Sequence, residues 1–271
     1  FAPRPFPLGL FVRDFPNLKV IVSNTTSVDH LPIKEAEERG IKIISLTDDR
    51  EFLEQITCTA EHTLGLIMAA HRRIPAAHAD VCEGNWDRTK WRAPRMLSKM
   101  NLGVVGAGRV GAHVAGICSG IFELVRWYDP YYDPNWLAPL FYKGKERAHS
   151  LNGLAIDTDV LCICAGPRQG SMEVIDREVL RHLRPGAIVV NTARAGLLDE
   201  DALIDLLISG HVRAAALDTA KGEPQISPKL VAYAQASNNL ILTPHIAGST
   251  EDALATTERR VLEKALETLN G

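Results

Sequence analysis

Leu102-Gly103-Val104-Val105-Gly106-Ala107-Gly108-Arg109-Val110-Gly111 is the stretch that decides the fold. A short apolar strand, Leu102 to Val105, runs into a turn with glycine at 106, 108 and 111, and a helical pattern from Val110 to Cys118 follows. A turn that receives a pyrophosphate needs no Cβ where the chain reverses, close approach of backbone to the anion, and tight packing of helix on strand. Glycines meet all three needs, and the N–H groups that open the helix face the anion. Asp129 ends the next predicted strand, Leu124 to Tyr128, 18 residues beyond Gly111. A carboxylate there accepts from the ribose hydroxyls and repels a 2′-phosphate, so the expected cofactor is NAD rather than NADP. A flavin or a methyl-donor nucleotide is the alternative occupant of such a turn.

Outward from this turn, β-branched runs alternate with helical patterns, the signature of βαβ units and a parallel sheet. The strands after Asn101 are Leu102 to Val105, Leu124 to Tyr128, Val160 to Cys164, Ala187 to Val190, Arg213 to Leu217 and Leu240 to Leu242. Helices are expected at Val110 to Cys118, Glu173 to His182 and Glu200 to Ile208. Six strands complete a doubly wound dinucleotide fold. Upstream, strands at Lys19 to Ser23 and Lys42 to Leu46 flank a helix at Ile33 to Arg39 that stops at Gly40. A longer helix, Thr59 to Arg73, ends before Pro75, and the polar segment Cys82 to Met100 reads as a connection. A final helix, Thr250 to Leu269, lies outside the strand count and is expected to pack on the first segment. The expected fold class is α/β: a doubly wound parallel-sheet (Rossmann) domain over 95–247, and a smaller discontinuous domain made of 1–94 with 248–271.

The chain has 271 residues and a formal charge of −3, with 46% hydrophobic and 23% charged residues, which suits a globular protein of about two domains. A pI near 6.3 argues against nucleic acid or an anionic membrane as partner, because both demand clustered Lys and Arg. No apolar run approaches the roughly 20 residues of a membrane span. Five cysteines, at 58, 82, 118, 162 and 164, show neither CxxC pairs nor metal-ligand spacing, so no metal is expected and reduced core thiols point to the cytoplasm. The chain opens on Phe1 without a leader pattern, which is read as a cut or processed start, and no regulatory domain is expected after Gly271.

Ligands of open α/β sheets sit beyond the carboxyl ends of the strands. Asn191-Thr192-Ala193-Arg194, Asp218 with Glu223, and Pro244-His245 follow successive predicted strands. Hydride transfer from an alcohol carbon needs a base for the hydroxyl proton, a partner for that base, and a cation for an acidic substrate. His245 suits the base because imidazole titrates near neutrality, and Glu223 suits its partner because a carboxylate stabilises imidazolium. Arg194 suits the anchor through paired hydrogen bonds to a carboxylate, and Asp218 suits the nicotinamide carboxamide. Each residue alone also has an ordinary reading, as a loop cap, a surface ion pair or a turn.

The chain resembles the D-isomer-specific 2-hydroxyacid dehydrogenases, from about Asn17 to Thr250. The carriers are Pro16 to Ile21, Thr25-Thr26-Ser27-Val28-Asp29-His30, Thr59-Ala60-Glu61-His62, the turn at Gly106, Val190 to Glu200, Ala216-Leu217-Asp218 with Glu223-Pro224, and Thr243 to Gly248. The resemblance, D-3-phosphoglycerate dehydrogenase-like in its overall pattern, implies NAD-dependent interconversion of a D-2-hydroxy acid and its 2-oxo acid. It implies that Arg194 binds substrate, that His245 is the acid/base and that Glu223 is its partner. It also implies substrate contact at Thr25, Thr26 and Ser27, and cofactor contact at Gly106, Gly108, Arg109, Val110, Gly111, Asp129, Ser171, Thr192, Ala193 and Asp218. A flavodoxin-like substrate domain with a shortened start and a homodimer through the cofactor domains complete what it implies. Ser27 and Ala195 stand where the family has glycine, and Cys164-Ala165-Gly166 stands where it often has His-Val-Pro. Two rival readings stay open, an NAD-binding corepressor-like scaffold and an inactive truncated dehydrogenase.

Overall fold

The computed structural model describes residues 15–26, 28, 31–132, 145–166 and 173–270. By internal contacts the chain divides into Phe1–Cys58 with Gly248–Gly271, and Thr59–Ala247. In the first unit β1 (Val20–Val22) and β2 (Lys42–Ile44) pair in parallel, joined through α1 (Ile33–Glu38). Ala36 is the buried residue of α1, and it meets Ile21, Leu31 and Ile41 in a small core. Gly40, at φ +67°, supplies the left-handed residue that turns the chain from α1 towards β2. α2 (Arg50–Glu54) follows.

The second unit runs α3 (Cys58–Arg72), α4 (Ile74–Cys82), β3 (Asn101–Val105), α5 (Arg109–Cys118), β4 (Leu124–Tyr128), β5 (Glu146–Arg147) and α6 (Leu151–Ala155). It continues with β6 (Val160–Ile163), α7 (Arg177–His182), β7 (Ala187–Asn191), α8 (Glu200–Ser209), β8 (Val212–Leu217), α9 (Pro228–Ala236) and β9 (Leu240–Leu242). Its strands form one sheet in the order β5-β4-β3-β6-β7-β8-β9, every pair parallel. The order reverses between β3 and β6, so the carboxyl ends of these two strands flank the switch-point crevice of a doubly wound sheet. β6 and β7 are buried along their whole length, which is why both read as unbroken apolar runs. Alternate residues enter opposite layers: Leu161, Ile163 and Val189 pack with α7 and α8, while Val160, Cys162, Ile188 and Val190 pack with α5.

α3 contributes Ala60, Leu66, Ile67 and Ala70 to the layer that holds Leu102 and Val104. The sequence reading grouped residues 59–94 with the N-terminal segment; in the structure they group with the large sheet. Helical periodicity tells that a face is buried but not against which sheet. Three further differences have local causes. Arg73, at φ 50°, separates α3 from α4, and Pro75 sits in the first turn of α4, so this proline begins a helix as well as following one. α7 starts at Arg177 rather than Glu173, because Glu173 is left-handed, Ile175 bridges to Leu198, and Asp176 caps the helix by accepting from the Val179 N–H. β5 is a two-residue exposed edge strand absent from the sequence reading.

The long helix α10 (Glu251–Asn270) belongs to the first unit, where Val261 and Ala265 pack with Ile44, Leu46 and Leu53. Arg260 Nε donates to Asp49 Oδ2 at 2.6 Å, and Lys264 Nζ to the Ser45 carbonyl at 2.9 Å. All five cysteines are unpaired, and burial pushes the Cys118 and Cys164 thiols up to about 12.

His71 in α3 is 3% exposed, and its Nδ1 stands 3.2 Å from Arg213 Nη2, so the neutral ring accepts from the guanidinium. Burial first, and then the Arg213 charge, hold its pKa below 6.5. A lowered folded-state pKa gives stability that is present above the unfolded value and lost as pH falls through the folded one. Denaturant midpoints should therefore fall below about pH 6.5, and His71→Asn, which keeps an acceptor without a titrating ring, should flatten that part of the profile.

Candidate active site

Two glycines of the turn between β3 and α5 are sterically required. Gly106 has φ +97°, and a Cβ there would lie 2.5 Å from the Ala165 Cα; a Cβ on Gly111 would lie 2.0 Å from the Gly106 carbonyl oxygen. A Cβ on Gly108, which caps α5, would meet open space. The turn is thus packed behind and open in front, as a pyrophosphate requires. Asp129 stands beside it: the Ala107 N–H donates to its Oδ2 and the Tyr131 N–H to its Oδ1, both at 2.8 Å. Arg109 and Val110 open α5 half-buried. These residues fit a dinucleotide. Gly111→Ala should fold poorly or leave a protein whose NADH fluorescence titration shows at least a tenfold loss of affinity.

Arg194 follows β7. Asn191, fully buried, shapes its loop from both sides: its Oδ1 accepts from the Ala193 N–H at 3.0 Å, and its Nδ2 donates to the Arg194 carbonyl at 3.1 Å. Thr192 Oγ1 lies 2.7 Å from Thr63 Oγ1 of α3, which ties the same loop to the helix. The guanidinium is half-buried, with Nη1 donating to the Ala193 carbonyl at 2.9 Å.

His245 follows β9 in a left-handed conformation, φ 54°, rare for a residue with a side chain. Its N–H donates to the Asp218 carbonyl at 2.8 Å. Its Nδ1 is 3.0 Å from Glu223 Oε1, and both side chains are 24% exposed. The carboxylate thus fixes the proton on Nδ1 and leaves Nε2 as the basic atom. The Glu223-Pro224 peptide is cis. Upstream, Glu200 at the start of α8 is 6% exposed and accepts from the Lys221 N–H at 2.7 Å, which pins the loop that carries Glu223. Burial, the largest cause, raises the Glu200 pKa.

Asp218, expected at the nicotinamide carboxamide, has a carboxylate committed to the His245 loop. Its Oδ1 accepts from Thr243 Oγ1 at 2.6 Å and the Ile246 N–H at 2.9 Å, and its Oδ2 from the Ala247 N–H at 2.9 Å. His62 of α3 adds its Nε2 3.5 Å from Asp218 Oδ1 and 3.3 Å from Thr243 Oγ1. His62 and Glu200 were quoted only as parts of motifs in the sequence reading, because pairings across such sequence distances leave no local pattern. In the first unit, Thr25 and Thr26 lie exposed after β1: Thr25 Oγ1 is 2.7 Å from Ser23 Oγ, and the Thr26 carbonyl accepts from Thr47 Oγ1 at 3.0 Å. Ser27 and Ser171 lie outside the described residues. Among the described residues no cluster of three His, Cys, Asp or Glu could hold a metal.

Residues 64–247 match the family model described as D-isomer specific 2-hydroxyacid dehydrogenase, NAD binding domain. The chain is 36% identical over 238 residues to the D-3-phosphoglycerate dehydrogenase of Mycobacterium tuberculosis, covering 88% of this chain and 42% of that protein. It therefore spans less than half the length of that relative. It is 30% identical over 256 residues to the hydroxypyruvate reductase of Thermotoga maritima, covering 93% of this chain and 78% of the relative. A crystal structure of a D-isomer specific 2-hydroxyacid dehydrogenase from Polaromonas superposes with a TM-score of 0.86 at 26% identity, covering 98% of this chain and 80% of the other. With a glycine turn shaped for a dinucleotide and a family model that spans the whole sheet, the chain belongs to the D-isomer specific 2-hydroxyacid dehydrogenases and carries their NAD-binding domain.

Proposed function

We propose that the protein interconverts a D-2-hydroxy acid and its 2-oxo acid, using NAD. The observation that carries this reading is the 3.0 Å His245–Glu223 pair on the sheet edge where Arg194 also emerges. Gly106, Gly108, Arg109, Val110 and Gly111 would hold the pyrophosphate, Asp129 the ribose, and Ser171, Thr192 and Ala193 the remainder, while Asp218 acts through the His245 loop that its carboxylate holds; when bound, the cofactor supplies the hydride acceptor or donor. Arg194 orients the substrate carboxylate through paired hydrogen bonds. His245 Nε2 takes the hydroxyl proton during oxidation and returns it during reduction, while Glu223 stabilises the imidazolium. Asp129 favours NAD over NADP, because its charge opposes a 2′-phosphate. Asp129→Ser should narrow the ratio of kcat/KM for NADH over NADPH by at least tenfold.

The test is NADH absorbance with a panel of glyoxylate, hydroxypyruvate, pyruvate and 3-phosphohydroxypyruvate. Oxidation with at least one supports the reading; NADH binding without turnover on any overturns it. The first unit is proposed as the substrate domain, of flavodoxin-like type, on the strength of its parallel β1–β2 pair. A homodimer through the cofactor unit is supported by the exposed Ile74, Val81, Trp86 and Met96 on and after α4, and sedimentation would test it. Five unpaired thiols support a reducing compartment such as the cytoplasm. Among the described residues no helix is long and apolar enough to cross a membrane.

A further inference from the structure

At the opposite edge of the large sheet, where β8 and β9 begin, lies a second polar constellation that the proposed reaction does not use. A cavity of about 180 Å³ is lined by Ala70, Arg73, Ala214, Ser237, Asn238 and Asn239, among others, with no carboxylate in its lining. Arg213 lies beside it, next to Ala214, where the β7–β8 register slips: Ala187 pairs with Val212 but Ile188 with Ala214. The extra residue is Arg213, and a bulge re-aims the side chain that it carries. Its guanidinium turns towards α3, where Nη2 donates to the His71 carbonyl at 3.2 Å and faces His71 Nδ1 at the same distance. Among the described residues no carboxylate pairs with Arg213 or with Arg73. Arg73 donates to the Lys90 carbonyl and stacks 5.1 Å over the Trp91 ring, which fixes its position without neutralising it. Arg213 Nε and Ser237 Oγ are both buried without a hydrogen-bond partner.

A buried charge is ordinarily paired, and a buried donor without an acceptor costs free energy. Here the Arg73 side chain and the unpartnered Ser237 hydroxyl line a space with room for a tetrahedral oxyanion and a few waters, and the unpartnered Arg213 Nε is buried on the residue next to Ala214 of that lining. Burial and the Arg73 charge both lower the Arg213 pKa, the cost that a bound anion would relieve. We propose that this cavity is an oxyanion site, separate from the dinucleotide turn, which takes phosphate either free or as the phosphoryl end of a small molecule. Arg213, Arg73 and Ser237 are its donors, and Asn238 and Asn239 line its mouth.

The test uses the full chain, saturated with NADH and carrying Arg194→Gln, so that the guanidinium at the other sheet edge does not compete. Inorganic phosphate is titrated at constant ionic strength while the thermal midpoint is followed, since a ligand that binds only the folded state raises it saturably. The expected result is a saturable rise that Arg213→Met weakens at least tenfold in apparent affinity, while Arg213→Met in the otherwise native chain keeps its turnover. Arg73→Met, a more exposed change, should weaken binding at least threefold and serves if Arg213→Met does not fold. No saturable rise, an equal rise with chloride, or a rise untouched in the folded variants overturns the site. Glycerol 1-phosphate then separates the sources: tighter binding than phosphate identifies a phosphoryl ligand, weaker binding a free anion, and both support the site.

Discussion

Replacing His245 by alanine should lower turnover by about 10²–10⁴-fold, the range that a positioned general acid or base contributes, while NADH still binds with near-native affinity. The turn at Gly106 and the Asp129 carboxylate make no contact with the imidazole, so the two readouts separate. Glu223→Gln should fall between: a glutamine oxygen still accepts from Nδ1 at the position now 3.0 Å away, but it stabilises imidazolium less than a carboxylate does. Single-turnover absorbance and NADH fluorescence measure the two effects. Native turnover in His245→Ala would remove the imidazole from the chemistry and, with it, the reading of Glu223 as its partner.

Asp218→Ala should cost stability as well as rate. The side chain is 1% exposed and accepts from two backbone N–H groups and a hydroxyl. Hydrogen bonds to a charged group are worth about 1.5–3 kcal/mol each, and stranding buried donors adds to the loss. Part of this returns as the loop relaxes into solvent, which leaves a net cost of about 3–5 kcal/mol, as for one broken member of a buried charged pair. The relaxing loop is the one that holds His245 at its positive φ, so turnover should drop at least a hundredfold even where the protein remains folded. Asp218→Asn keeps one acceptor oxygen and should lie between the two. Urea unfolding with parallel kinetics checks both, and a change below about 0.5 kcal/mol, typical of surface substitutions, would show that the carboxylate does not hold this loop.

The parts of this molecule that the sequence disclosed are those where physics writes a local pattern. β3, β4, β6, β7, β8 and β9 carry mainly apolar runs punctuated by glycine or a polar strand end, and all were read close to their bounds. The glycine turn was legible because backbone conformation and close approach exclude side chains at Gly106 and Gly111. Arg194, Glu223 and His245 were legible as polar residues stranded just after such runs. β5 was not, because Glu146 and Arg147 are exposed and offer no alternation. α4 was hidden by a proline that reads equally as an end and as a beginning. The service of Asp218 to the His245 loop, and the approach of His62 to it, join stretches far apart in the chain, and no periodicity reports them.

The packing of α10 against β1 and β2 sets a timetable for synthesis. Ile44, Leu46 and Leu53 leave the ribosome early, but Val261 and Ala265, which complete their core, come only after the whole sheet-bearing unit has been made. At about 5–20 residues per second, that interval is roughly 10–40 s. During it the nascent β1–β2 ribbon carries apolar surface with nothing to cover it, while the sheet behind it can already close. Chaperone binding and premature proteolysis should thus concentrate on the N-terminal segment of stalled chains, and release of α10 should end both.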